Sequence, residues 1–271
     1  MAEEYVHGRG ARESRRLKDQ ARALVELLHH DTGYPAGSLV LEAGCGVGAQ
    51  TLELVRRSPG ARFVAIDVSA ESLAQARHAL HAAGADNVEF RQADILSLPF
   101  AAASFDHVFV CFVLEHLPRP AEALAGLVAT LRPGGTLTVI EGDHGSACFH
   151  PESPAARRAI EAQVELQRRA GGNALIGRQL YPLMRAAGLA DVNVSPRLVY
   201  VDGGRPELIE AFTRHTFTAM IEGVRRAAID ATLLRAAEFD AGVRDLKRTA
   251  REDGVFCYTF FKGAGSKPPA R

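Results

Sequence analysis

The segment Leu39-Val40-Leu41-Glu42-Ala43-Gly44-Cys45-Gly46-Val47-Gly48-Ala49-Gln50-Thr51 constrains this chain more than any other. An apolar run closes on an acid, three glycines follow at alternate positions, and a helix-like pattern begins. That is a strand, a tight turn and a helix start. Glycine is required because the turn needs backbone angles that a β-carbon obstructs, and because a ligand must approach the backbone closely. The N–H groups at the helix start favour a negatively charged or carboxylate-bearing ligand. A second acid, Asp67, closes Phe63-Val64-Ala65-Ile66. It lies about 20 residues past the glycines, where the second strand of a βαβ unit presents a carboxylate to a ribose. The chain therefore opens with a nucleotide-cofactor site. Gly44, Gly46 and Ala49 also satisfy the G-x-G-x-x-G/A dinucleotide pattern, so the glycines alone leave NAD open.

Strand-like and helix-like segments alternate from there. Strands are expected at 38–43, 61–66, 87–92, 105–111 and 135–141, with helices from 49, over 70–83 and over 119–131. Such alternation predicts a parallel sheet with helices on both faces. A helix at 12–30 precedes it, with Leu17, Ala21, Leu24, Val25 and Leu28 at helical spacing. Beyond strand five the chain departs from a minimal α/β domain. A loop at 141–151, helices at about 153–170 and 176–187, a sixth strand at 191–201, a mostly helical stretch over 205–252 and a last strand at 255–262 are expected.

Composition narrows the function. With 32 basic and 32 acidic residues the net charge is formally zero, which argues against a wide nucleic-acid footprint. Arg157-Arg158 and Arg225-Arg226 read as solvated helix faces. No apolar run of about 18 residues exists to span a membrane. Cys45, Cys111, Cys148 and Cys257 are scattered, with no C-x-x-C pair. No zinc or other metal site is expected, and the thiols are read as reduced, in a cytoplasmic setting.

Four segments together carry a resemblance. Glu42 two residues before the first glycine, Gly48 as the third and Thr51 just inside the helix resemble motif I of the class I S-adenosylmethionine (SAM)-dependent methyltransferases. Val88 to Phe100, with Asp94 at its centre, resembles the third-strand motif. Phe105 to Leu117 resembles the fourth strand and its loop, and Leu131-Arg132-Pro133-Gly134-Gly135-Thr136-Leu137 the turn into the fifth. The likeness is close over about residues 38 to 142, and within the family it points to small-molecule enzymes of the ubiquinone/menaquinone-biosynthesis kind. It implies an α/β Rossmann-like seven-stranded sheet of order 3-2-1-4-5-7-6, the last strand antiparallel, with helical cap insertions. The expected organisation is one domain over 1–271, an N-terminal helical segment at 1–35, and cap insertions at 143–175 and 203–253 that form a lid. It also implies SAM as cofactor and S-adenosylhomocysteine as product.

Carried over residue by residue, the resemblance gives Glu42, Gly44, Gly46, Gly48 and Thr51 to the cofactor, Asp67 and Ser69 to its ribose side, Ala93, Asp94 and Ile95 to its adenine, and Cys111 and His116 to its methionine part. Tyr5 and Gln20 are expected to close over it. His116 is a general-base candidate, since imidazole titrates near neutrality. Glu141, Asp143 and His144 follow strand five, and an acid, an acid and an imidazole there suggest binding of a polar or cationic acceptor group. Glu141 and His144 join His116 as catalytic candidates. His150, Arg178, Tyr181 and Tyr200 are further substrate candidates, Arg178 as partner for a carboxylate. The expected function is methylation of a small-molecule acceptor at O, N or C, by a chain that binds neither nucleic acid nor membrane; a homodimer stays open. The rivals are an RNA or protein methyltransferase, a SAM-binding protein without turnover, and an NAD-dependent oxidoreductase. The last lacks a Tyr-x-x-x-Lys pair, with only Lys18, Lys247, Lys262 and Lys267 present.

Overall fold

The computed structural model describes residues 25–269. Tyr5, Gln20 and most of the expected 12–30 helix lie outside the described residues; Val25–His29 is helical. Five elements match the sequence pattern closely: β1 (Leu39–Ala43), α1 (Ala49–Arg57), β2 (Arg62–Asp67), α2 (Ala70–Ala82) and β3 (Val88–Gln92). Then come β4 (Phe105–Cys111), α3 (Pro120–Thr130), β5 (Leu131–His150), α4 (Pro154–Arg169), α5 (Leu180–Ala186) and β6 (Ala190–Val201). A helical run follows as α6 (Pro206–Leu208), a π-helical stretch Ile209–Thr218, α7 (Ala219–Gly223), α8 (Arg225–Asp230) and α9 (Ala236–Arg248). β7 (Val255–Ser266) ends the sheet, whose order is β3-β2-β1-β4-β5-β7-β6. The pairings from β3 through β5 are parallel. β7 runs against β5: the Gly134 N–H donates to the Lys267 carbonyl at 2.8 Å, and the Lys267 N–H returns to Gly135 at 2.8 Å.

Two expectations about boundaries are corrected. The segment after strand five is strand, not loop: β5 continues through Glu141, Asp143 and His144 to His150. Its reason is pairing with β7, where the Thr259 N–H donates to Ser146 Oγ at 2.9 Å, and alternate burial beyond it, with Ala147 and Phe149 inside and Cys148 and His150 outside. The expected helix 176–187 divides into a 3₁₀ turn, Ile176–Gln179, and α5.

The described chain divides into two compact units. The first comprises Val25–Glu141, Ile176–Pro196 and the chain from Phe261 onward. Its core is a β-branched and leucine-rich layer on the sheet, including Leu41, Val64, Val108, Val110, Leu124, Leu127, Leu137 and Met184. These strands are buried on both faces, which explains why they read as continuous apolar runs. The second unit comprises Gly142–Leu175 and Arg197–Phe260. Its centre is aromatic: Phe212, Phe217, Phe256, Tyr258 and Phe260 are all buried, and Phe217 stands 4.7 Å from Phe256 and 5.4 Å from Tyr258 between ring centroids. Aromatic pairs at such separations add to the area they bury.

Candidate active site

Gly44, Gly46 and Gly48 all have positive φ, at 79°, 52° and 80°. Their surroundings differ. A β-carbon at Gly44 would overlap Val113 Cγ2, and one at Gly48 would stand 2.9 Å from Leu80 Cδ2 and 3.0 Å from Ala76 Cβ. A β-carbon at Gly46 meets nothing within 4 Å. Two of the glycines therefore serve the packing of the turn against its own protein, and Gly46 alone faces open space. Asp67 at the end of β2 braces the turn. Its Oδ2 accepts the Gly46 N–H at 2.9 Å and its Oδ1 accepts the Ser69 N–H at 2.8 Å. Each carboxylate oxygen retains a lone pair for a further donor such as a ribose hydroxyl. Ser69 caps α2, accepting from the Ser72 N–H at 3.2 Å. Asp94 is exposed beyond β3, its Oδ1 accepting the Leu96 N–H at 2.8 Å, and Ala93 and Ile95 flank it.

Below the turn lies a buried polar layer. Glu42 is 2% exposed, and burial raises its carboxyl to about 7; the Thr51 hydroxyl opposes that shift and Asp67 reinforces it. Glu42 Oε2 and Thr51 Oγ1 have no hydrogen-bond partner of sound geometry among the described residues. His29 Nε2 donates to Gln50 Oε1 at 2.6 Å, and burial holds its imidazole down at about 4. An open cradle at Gly46 beside an acid with spare acceptor capacity fits a ligand carrying a ribose and an amino acid group.

The loop after β4 completes this side. Phe112 has φ 58°, a left-handed backbone uncommon for a bulky residue. It is held by its N–H bond to the Ile140 carbonyl at 2.9 Å, while Glu141 Oε1 accepts the N–H groups of Val113 at 3.0 Å and Leu114 at 2.7 Å. Glu141 thus shapes the loop that packs on Gly44, where an acceptor-binding or catalytic role was expected. It is fully buried, and burial with nearby Glu115 pushes its carboxyl well above the usual range. His116 sits in this loop with Nε2 3.5 Å from Glu115 Oε1, and Cys111 is buried at the end of β4, its thiol raised by burial.

In the second unit Asp143 and His144 are buried on β5. His144 Nδ1 lies 2.6 Å from the Tyr258 hydroxyl, and its ring packs 6.1 Å from Phe217. Asp143 Oδ1 accepts the Gly145 N–H at 3.1 Å. Tyr258, which the sequence reading placed only on a strand, is the direct partner of the expected imidazole. His150 and Tyr200 are exposed in this unit, and Arg178 and Tyr181 are exposed in the first. Among the described residues no group of His, Cys, Asp and Glu is arranged to hold a metal ion.

Residues 40–135 match the methyltransferase domain family. Residues 40–135 therefore form a methyltransferase-family domain. A relative described as an uncharacterised 37.1 kDa protein in transposon TN4556 of Streptomyces fradiae is 32% identical over 208 residues, covering 76% of this chain and 59% of that protein. The ubiquinone/menaquinone biosynthesis C-methyltransferase of Hahella chejuensis is 38% identical over 113 residues, covering 41% of this chain and 45% of the enzyme. The chain thus spans less than two thirds of the length of these curated relatives. The crystal structure of the [4+2]-cyclase SpnF superposes with TM-score 0.55 at 21% identity, over 93% of this chain and 82% of that one. The sheet has the strand order that the resemblance implied. A neighbour described as a cyclase means that fold alone does not fix the reaction.

Proposed function

We propose that this protein is a SAM-dependent methyltransferase acting on a small molecule and releasing S-adenosylhomocysteine. The observation that carries the reading is the glycine turn: Gly46, alone of the three, faces open space, and its N–H is fixed by the Asp67 carboxylate. On this reading Asp67 holds the ribose, Asp94 with Ala93 and Ile95 lies along the adenine, and Glu42, Thr51, Cys111 and His116 line the methionine side. SAM supplies a methyl group on a sulfonium leaving group. The protein's share of such a displacement is position and exclusion of water, with a base where the acceptor carries a proton. Asp143 and His144, with the His144–Tyr258 pair, are proposed as the acceptor-side polar groups, where the imidazole takes the proton as the tyrosine hydroxyl orients the ring. Zero net charge and relatives named for small-molecule methylation support a small acceptor over RNA or protein.

The test is transfer of labelled methyl from SAM into three pools, namely small metabolites, total RNA and denatured protein. Label in the first pool alone is expected. Label in RNA or protein would replace the small-molecule reading, and none in any pool with SAM bound would mean a binding protein or another reaction on the same fold.

A further inference from the structure

Two of the four cysteines face each other across the β5–β7 ladder of the second unit, with no part in the site described above. Two contacts set the register. Ser146 on β5 bonds Thr259 on β7 at 2.9 Å, and Phe149 stacks on Phe256 at 6.4 Å with an interplanar angle of 5°. From Ser146 to Phe149 and from Thr259 to Phe256 both strands advance by the same number of residues in opposite directions, so Cys148 faces Cys257. Side chains alternate along a strand, and Phe149 and Phe256 point inward. Cys148 and Cys257 therefore share the outer face, the first exposed and the second half-buried, both as free thiols. Directly opposed residues of an antiparallel pair have β-carbons about 4.5–5.5 Å apart, within small adjustment of the span a disulfide bridges. Burial, and after it the neighbouring Cys148, push the Cys257 thiol up to about 11.

We propose that Cys148 and Cys257 form a modification site, a cross-strand dithiol that low-molecular-weight disulfides such as oxidised glutathione convert to an intramolecular disulfide. The exposed Cys148 thiolate attacks one sulfur of oxidised glutathione, forming a mixed disulfide and expelling one glutathione thiolate. The Cys257 thiolate then attacks Cys148 Sγ, closing the protein disulfide and expelling the second glutathione. Two protein thiols are oxidised, one glutathione disulfide is reduced, and two protons leave. Cys45 and Cys111 are buried away from solvent and stay out of the exchange.

The test uses the full reduced chain with oxidised glutathione, read by intact mass, thiol titration and peptide mapping under non-reducing conditions. The wild type is expected to lose two titratable thiols, retain no glutathione, remain monomeric by mass and yield a linked peptide joining Cys148 to Cys257. Cys257→Ser should instead trap one glutathione at Cys148, and dithiothreitol should reverse both. A stable glutathione adduct on the wild type would overturn the proposal, as would a linkage involving Cys45 or Cys111, or no reaction at either cysteine.

Discussion

Exchanging Gly46 and Gly48 for alanine, one at a time, separates the two jobs that the glycine turn performs. At Gly46 the added methyl meets no protein atom within 4 Å, so its structural cost is confined to holding φ near 52°. A left-handed alanine costs roughly 1–2 kcal/mol, which lowers Tm by about 2–8 °C in a protein of this size. At Gly48 the same strain, at φ 80°, is joined by contacts of 2.9 Å to Leu80 and 3.0 Å to Ala76. Overpacking adds about 1–3 kcal/mol, so Gly48→Ala should be the less stable variant. Cofactor affinity should move the other way. The Gly46 methyl occupies the space left for the ligand, and S-adenosylhomocysteine binding should fall at least about tenfold, or about 1.4 kcal/mol. Gly48→Ala, measured well below its Tm, should stay within about threefold of wild type. Thermal unfolding and calorimetric titration read both quantities. Wild-type affinity in Gly46→Ala, or an equal loss in Gly48→Ala, would mean that Gly46 does not border the cofactor.

Four further outcomes are expected. Glu42 has a folded value of about 7 against an ordinary 4.5, so the native state holds its proton while the unfolded chain releases it, and stability contributed by the neutral carboxyl is lost as pH rises from about 4.5 to 7. Glu42→Gln should therefore gain on wild type across that window by about 3 kcal/mol at most, in denaturant titrations at fixed pH values. His29 gives the opposite sign, because its depressed value of about 4 costs stability as pH falls from 6.5, and His29→Gln should be relatively more stable at pH 4.5 than at pH 7.5. Glu141→Ala should cost about 1–3 kcal/mol for each backbone N–H it orphans, while Glu141→Gln keeps an acceptor and stays near wild type by denaturation; equal loss in both would mean that its charge is the requirement. Finally, His144→Ala should lower turnover while leaving S-adenosylhomocysteine affinity within about threefold, whereas loss of the neutral limb of the pH–rate profile in His116→Ala alone would move the base to the β4 loop.

The parallel half of the fold was legible because its signals are local. β1, β2 and β4 are buried runs bounded by turn residues, Ser69 marks the start of α2, and Gly84, with φ 72°, marks its end. The glycine turn and Asp67 were legible for the same reason, since positive φ and an acid at a strand end follow from the sequence order. β5 was read too short because its continuation past Gly142 depends on β7, more than a hundred residues later, and Gly142, Gly145 and Pro151 look like loop punctuation. The same non-local pairing hid Tyr258 as partner of His144. Glu141 was misplaced because its neighbours are backbone N–H groups of a loop whose strained Phe112 has no sequence signal.

On the proposed function, the turn between β1 and α1, closed by Asp67, is a SAM site. Titrating the wild type and Asp67→Ala with S-adenosylhomocysteine, and the wild type with NAD, tests it most directly. One site for S-adenosylhomocysteine, no measurable heat with NAD, and a loss of about 1.5–3 kcal/mol in Asp67→Ala, the range for a hydrogen bond to a charged group, are expected. Saturable NAD binding, or unchanged S-adenosylhomocysteine affinity in a folded Asp67→Ala, would contradict it.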